Sequence, residues 1–202
     1  MLKNNISSKI YDIENGFYIR GETVEILLNV LAMKSYEAAE HCIRVSELSA
    51  QIGKAYDLSQ KDMKDLYNAS ILHDIGKVFV DDEILNKPSK LTKSEYDMIK
   101  THSKKGFEAI DNIKRVDNTA EIILYHHERY DGLGYPCGLK GKETPFLSRI
   151  IAVADAFDAM TSPRSYKATL SIREAVQELK NGKYTQFDGQ IVDTFIEVIS
   201  EK

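Results

Sequence analysis

Two short patterns constrain the fold of this chain more than anything else in it. Thr92-Lys93-Ser94-Glu95 and Ser171-Ile172-Arg173-Glu174 each place a hydroxyl residue three positions before a glutamate. In that arrangement the hydroxyl accepts from the third helical N–H, and the carboxylate accepts from the N–H of the capping residue. Two donors that a helix start would leave unpaired are then satisfied. Both patterns predict helices, the second ending near Gly182. Ser59 is a further cap, with a helix expected to run to about Asp74 and stop at Gly76. Val45, Leu48, Ile52 and Ala55 recur at helical spacing, as do Leu147, Ile150, Ile151, Ala154 and Phe157. No stretch alternates apolar and polar residues in the manner of a half-buried strand. The expected fold class is all-α.

Size and composition narrow the rest. A chain of 202 residues with 43% hydrophobic and 29% charged residues suits one domain with a proper core. No apolar run approaches the ~18 residues of a membrane span. Met1-Leu2-Lys3-Asn4-Asn5 is not followed by the apolar core of a signal peptide, so a cytoplasmic protein is expected. Cys42 and Cys137 match no zinc-ribbon spacing and read as free thiols in a reducing compartment. A net charge of −4 argues against binding DNA or RNA polymers, but allows a small anion held by a local positive cluster. Residues before about Glu22 are polar and irregular. Arg129 to Phe146 holds four glycines and two prolines, and long irregular loops of that kind are often functional.

The five histidines are His41, His73, His102, His126 and His127. Glu37 and His41, at i and i+4, share one helix face. His73 and Asp74 are adjacent, so their side chains leave a helix about 100° apart. That geometry suits two metals better than one, with Asp74 between them, and His126-His127 poses the same case. With His102 and Asp155 the candidate ligands number eight. One octahedral ion has six positions and must leave some open, so at least two ions are implied. Imidazole plus carboxylate without thiolate suits iron, manganese, nickel or zinc. Such a pair, about 3.5–4 Å apart, can hold a bridging hydroxide and clamp a phosphodiester. Blander readings exist. Glu37 can be a solvated helix charge, and Asp155, within an apolar segment, a buried ion pair or cap. Cys42 can be packing, and so can Tyr135. The joint occurrence of these residues in one small domain favours the metal reading.

His73-Asp74 with Gly76-Lys77 resembles the signature of the HD superfamily of metal-dependent phosphohydrolases. His126-His127-Glu128-Arg129, leading to Asp131-Gly132 and Gly134-Tyr135-Pro136, resembles that of its HD-GYP subgroup. The resemblance runs from about Ser35 to about Ile199. It implies a compact HD-type helical domain with a long GYP loop, divided as a short, partly helical segment 1–34 and a catalytic domain 35–202. It also implies hydrolysis of a cyclic dinucleotide, cyclic di-GMP foremost, to the linear dinucleotide or GMP through a metal-bridging hydroxide. Two or three divalent transition-metal ions are expected, iron or manganese first and nickel or zinc as alternatives. His41, His73, Asp74, His102, His126, His127 and Asp155 match the family's ligand positions, with Asp74 as the bridge. Glu37 matches an acidic position found in members with a third metal. The resemblance gives Asp74 and Lys77 catalytic roles, and makes Lys77, Tyr135, Arg164 and Lys167 substrate contacts. Ser165 stands where a proline is common. Arg129 is open between substrate contact and loop support, and the GYP loop is a candidate docking point for a protein partner. The alternatives are a phosphohydrolase of other nucleotides and a module that binds cyclic dinucleotide without turnover.

Overall fold

The computed structural model describes residues 21–113, 118–163 and 169–200. Among them the chain forms α1 (Glu22–Lys34), α2 (Tyr36–Ala55), α3 (Gln60–Leu72), α4 (Asp82–Leu85) and α5 (Lys93–Lys100). Then follow α6 (His102–Ile110), α7 (Thr119–Leu124), α8 (Phe146–Thr161), α9 (Ile172–Asn181) and α10 (Gly189–Ser200). Short 3-10 helices occupy Ile75–Phe79 and Gly141–Glu143. The described residues contain no strand beyond an isolated bridge between Lys183 and Phe187. The fold is all-α, as the caps require.

Both capping boxes form. Glu95 N donates to Thr92 Oγ1 at 3.3 Å and Thr92 N to Glu95 Oε2 at 2.7 Å. The pair Ser171 and Glu174 repeats this at 3.3 and 2.8 Å, and Gly182 closes α9 by donating to Glu178 O at 3.0 Å. Ser59 caps α3 through Asp62 N. The helix it opens is shorter than the sequence suggests, ending at Leu72 before the tighter turn over Ile75–Phe79. Packing accounts for the difference. At Gly76 the chain passes so close to α6 that a Cβ would lie 1.9 Å from the carbonyl oxygen of His102. Only glycine permits that approach.

The core gathers around α2, which packs on α1, α3, α8 and α10. Ala39, Cys42, Val45 and Ile52 of α2 meet Leu66, Ala69 and Leu72 of α3 and Ile150, Ile151 and Ala154 of α8, all fully buried. Phe157 of α8 meets Phe195 of α10 edge-on at 4.9 Å. Each fully buried Val, Leu, Ile or Phe side chain contributes about 1.5–3 kcal/mol. Val24, Leu28 and Leu31 of α1 enter the same core, so a boundary between residues 34 and 35 would separate helices that pack together. No helix among the described residues is long and apolar enough to cross a membrane.

Candidate metal centre

Three helices end at one place. The last-turn carbonyls of a helix lack intrahelical partners. Here such carbonyls on α3, α5 and α7 each accept from a histidine ring three residues on. His73 Nδ1 donates to Ser70 O at 2.7 Å, His102 Nδ1 to Ile99 O at 2.8 Å, and His126 Nδ1 to Ile123 O at 2.6 Å. With Nδ1 carrying the proton, each Nε2 turns its lone pair inward. The negative ends of three helix dipoles also converge there, which favours a cation.

The inward nitrogens fit a metal. His73 Nε2 is buried and has no hydrogen-bond partner. His102 Nε2 and His126 Nε2 lie 3.3 Å apart, two lone pairs facing one another with no proton to share. A cation resolves both arrangements. Ligand atoms fall into two histidine-rich groups, His41, His73 and Asp155, and His102, His126 and His127, and a third group joins Cys42 to His73 and Asp74, the atoms of each within 4.8 Å of one another. Asp74 lies between the two histidine-rich groups. Its Oδ2 is 3.5 Å from His73 Nε2 and its Oδ1 is 3.4 Å from His102 Nε2. Gly76, by allowing the backbone onto His102, fixes that spacing.

Charge follows from burial and neighbours. Burial pushes the histidines down, His102 to about 4 and His127 to about 3, and lowers His73 and His126 as well. All four are neutral near pH 7, the form that ligates. Burial pushes Asp74 up, but Lys77 and the surrounding imidazoles outweigh it and hold the carboxylate well below its ordinary range. Asp155 is held down against its burial by His41. Without metal, burial lowers His41, but hydrogen bonds to Asp155 and Asp158 overcome it and raise the ring to about 8. Cys42 is a buried free thiol, pushed up by burial and by Asp74, and it packs in the core around α2.

The remaining expected residues stand around this centre. Lys77 Nζ donates to Asp74 Oδ2 at 2.5 Å. Glu37 is exposed on the first turn of α2 and belongs to neither ligand group. It lines a cavity of about 180 Å³ with His41, Arg44, Lys77, Asn86 and Pro88. The ring of Tyr135 lies tilted against His127, centroids 4.8 Å apart. Arg129 pairs within the loop with Asp131 at 2.6 Å. Arg164, Ser165 and Lys167 lie outside the described residues.

Three important residues have no role in the sequence reading. Asp158 accepts from His41 Nδ1 at 2.6 Å and is itself gripped by Arg44. Their signal was spacing: Asp158 follows Asp155, and Arg44 follows His41, by three residues on a helix. Glu128 is buried beneath the GYP loop and accepts from the N–H groups of Cys137, Gly138 and Leu139 at 2.7–3.1 Å. The same loop crosses its own start so closely that a Cβ on Gly134 would lie 2.3 Å from Arg129 N.

Most of the chain is similar to known proteins. The HD domain family matches residues 25–191. A cyclic di-GMP phosphodiesterase of Thermotoga maritima is 38% identical over 182 residues, covering 89% of this chain and 50% of the relative. A 3'3'-cGAMP-specific phosphodiesterase of Vibrio cholerae is 36% identical over 178 residues, covering 87% and 34%. The crystal structure of a cyclic GMP-AMP specific phosphodiesterase of V. cholerae shares the fold, with a TM-score of 0.67 at 22% identity over 88% of this chain and 48% of that one. The chain thus spans half or less of the length of these relatives. It belongs to the HD domain family and, through the signature from His126 to Pro136, to its HD-GYP subgroup. Divalent-metal binding comes with that membership, and the two ligand groups are the candidate side chains for it.

Proposed function

We propose that this domain is a metal-dependent phosphodiesterase that hydrolyses a cyclic dinucleotide, with cyclic di-GMP the expected substrate and the linear dinucleotide or GMP the product. The observation that carries this reading is the single carboxylate of Asp74, facing one set of imidazole nitrogens with each oxygen. The names of the T. maritima and V. cholerae relatives support the substrate class. In this reading His41, His73, Asp74 and Asp155 hold one ion, and Asp74, His102, His126 and His127 a second. Glu37, on the cavity beside His41, offers a ligand to a third. Nitrogen and oxygen donors without thiolate favour iron or manganese, with nickel or zinc as alternatives.

Divalent ions bound there supply Lewis acidity and a water acidic enough to attack a phosphodiester near neutral pH. The chain's own contribution is positioning and charge. Asp74 and Asp155, both ionised, balance the cations. Lys77 steadies Asp74 and, from the wall of the cavity, presents its ammonium to a phosphate oxygen as negative charge develops. Tyr135 shields His127 from water and offers substrate an aromatic face. Arg164 and Lys167 supply further positive charge to the phosphates. Leu133, 78% exposed on the GYP loop, is the apolar group that loop would offer a protein partner. The free thiols support a cytoplasmic setting.

The test is turnover. Protein reconstituted with iron or manganese without oxygen is incubated with cyclic di-GMP, cyclic GMP-AMP, cyclic di-AMP and deoxynucleoside triphosphates, and products are resolved by chromatography. Cleavage of cyclic di-GMP in preference to the triphosphates is expected. Turnover of triphosphates with every cyclic dinucleotide intact would replace this reading with that of a general nucleotide phosphohydrolase. Tight binding of cyclic di-GMP without cleavage would make the domain a sensor.

A further inference from the structure

A cation and two aromatic rings lie beside the centre in an arrangement that metal binding does not require. Lys100, on the last turn of α5, carries its Nζ 4.7 Å from the ring centre of Tyr96 and 5.8 Å from that of Tyr135. Both distances fall within the range of a cation–π contact. Tyr135 in turn lies against His127. A continuous path therefore runs from a candidate ligand to the protein surface, where Tyr96 remains 49% exposed. Asp97 accepts a hydrogen bond from Lys100 at 3.0 Å, and the Lys100 side chain stays one-third exposed.

The location matters as much as the chemistry. The cavity beside Glu37 adjoins His41, in one ligand group. The Tyr96–Lys100–Tyr135 cluster adjoins His127, in the other. A cyclic dinucleotide has two phosphates and two purines, and only one phosphate can be at the reacting position. The other half of the molecule needs a base platform and a counter-charge away from the metals. An exposed aromatic face beside a lysine provides both, since rings stack on any base and the ammonium meets a phosphate.

We propose that Tyr96 and Lys100 of α5, together with Tyr135, form a subsite for a purine nucleotide that holds the half of the substrate not undergoing cleavage. This rests on the cyclic-dinucleotide reading above. Tyr96 and Lys100 act on binding and specificity and take no part in bond breaking.

The experiment compares metal-loaded wild type, Lys100→Met, Tyr96→Ala and Tyr96→Phe. KM and kcat are measured on cyclic di-GMP, turnover on bis(p-nitrophenyl) phosphate, and affinity for GMP by calorimetry. The small diester lacks purines and reports the metal centre alone. Lys100→Met and Tyr96→Ala are expected to raise KM for cyclic di-GMP roughly tenfold and to weaken GMP by a similar factor. Tyr96→Phe keeps the stacking face and should restore both. Turnover of the small diester should stay within about twofold throughout. Unchanged KM and GMP affinity in the first two variants would overturn the proposal. So would a matching loss on the small diester, which would make these residues supports of the centre. If wild type cleaves the small diester but no cyclic dinucleotide, the substrate reading fails. The GMP titration then decides the subsite alone: weaker binding in the variants upholds it, and equal binding removes it.

Discussion

Asp158 accepts a hydrogen bond from Nδ1 of His41 at 2.6 Å, which aims the other ring nitrogen at Asp155, 2.9 Å away. Arg44 holds the same carboxylate through Nε and Nη2 at 2.7 and 3.0 Å, and Ser162 adds a hydroxyl at 2.8 Å. Partners of this kind fix the tautomer and direction of a ligating imidazole, and their loss typically costs 10–100-fold in metal affinity. Asp158→Ala is therefore expected to weaken metal binding by about that factor with the helical content unchanged, read by competition against a chelator. Affinity equal to wild type would reduce Asp158 to a buried structural ion-pair residue.

Glu128 gives a second case. Its carboxylate is the acceptor for three consecutive N–H groups of the GYP loop, those of Cys137, Gly138 and Leu139. A hydrogen bond to a charged group contributes about 1.5–3 kcal/mol, less where water can replace the acceptor. Glu128→Ala should open the loop to protease within 132–141 and lower turnover, while the ligand groups keep their metal. A loop that resists protease as in wild type would show that contacts elsewhere, such as Asp131 N to Thr185 O at 2.8 Å, suffice.

Gly76 tests the packing that sets Asp74 against His102. A methyl group there meets backbone, not a flexible side chain, at 1.9 Å, so the two segments must separate. Gly76→Ala is expected to cost at least the ~1–3 kcal/mol typical of overpacking, measured by urea unfolding of metal-free protein. A change below about 0.5 kcal/mol would mean the contact relaxes freely.

The metal-free protein should have a stability maximum near pH 6.5. His102 and His127 titrate at about 4 and 3 when folded and near 6.5 when unfolded. Between those values the unfolded chain holds more protons, so stability falls as pH falls through that window. His41 has the opposite sign. Its folded value is about 8, so its contribution is full below about 6.5 and is lost as pH rises through about 8. Thermal unfolding with chelator present, followed from about pH 4 to 9, checks this. A melting temperature that climbs steadily through pH 8 would contradict the role of His41.

The helices were legible because their signals are local, and the candidate ligands drew notice through two adjacent pairs. Caps such as Thr92 and Ser171 act within three residues, and His73-Asp74 and His126-His127 are adjacent in the chain. What could not be read depends on contacts across the fold. The end of α3 at Leu72 is decided by how close Gly76 comes to α6, a neighbour 26 residues away in sequence. Asp158 reaches His41 across 117 residues, and its only local mark is the three-residue spacing from Asp155. Tyr96 looks like any tyrosine of an amphipathic helix until the GYP loop brings Tyr135 to Lys100. The Arg164 and Lys167 assignments rest on family resemblance.

The most direct test of the central claim is the number of metal ions bound per chain after anaerobic reconstitution with iron or manganese, measured by elemental analysis. The shared position of Asp74 between two imidazole groups requires at least two ions in the wild-type protein and a loss of most of them in Asp74→Ala. One ion or none in the wild type, or the same content in Asp74→Ala, would contradict it.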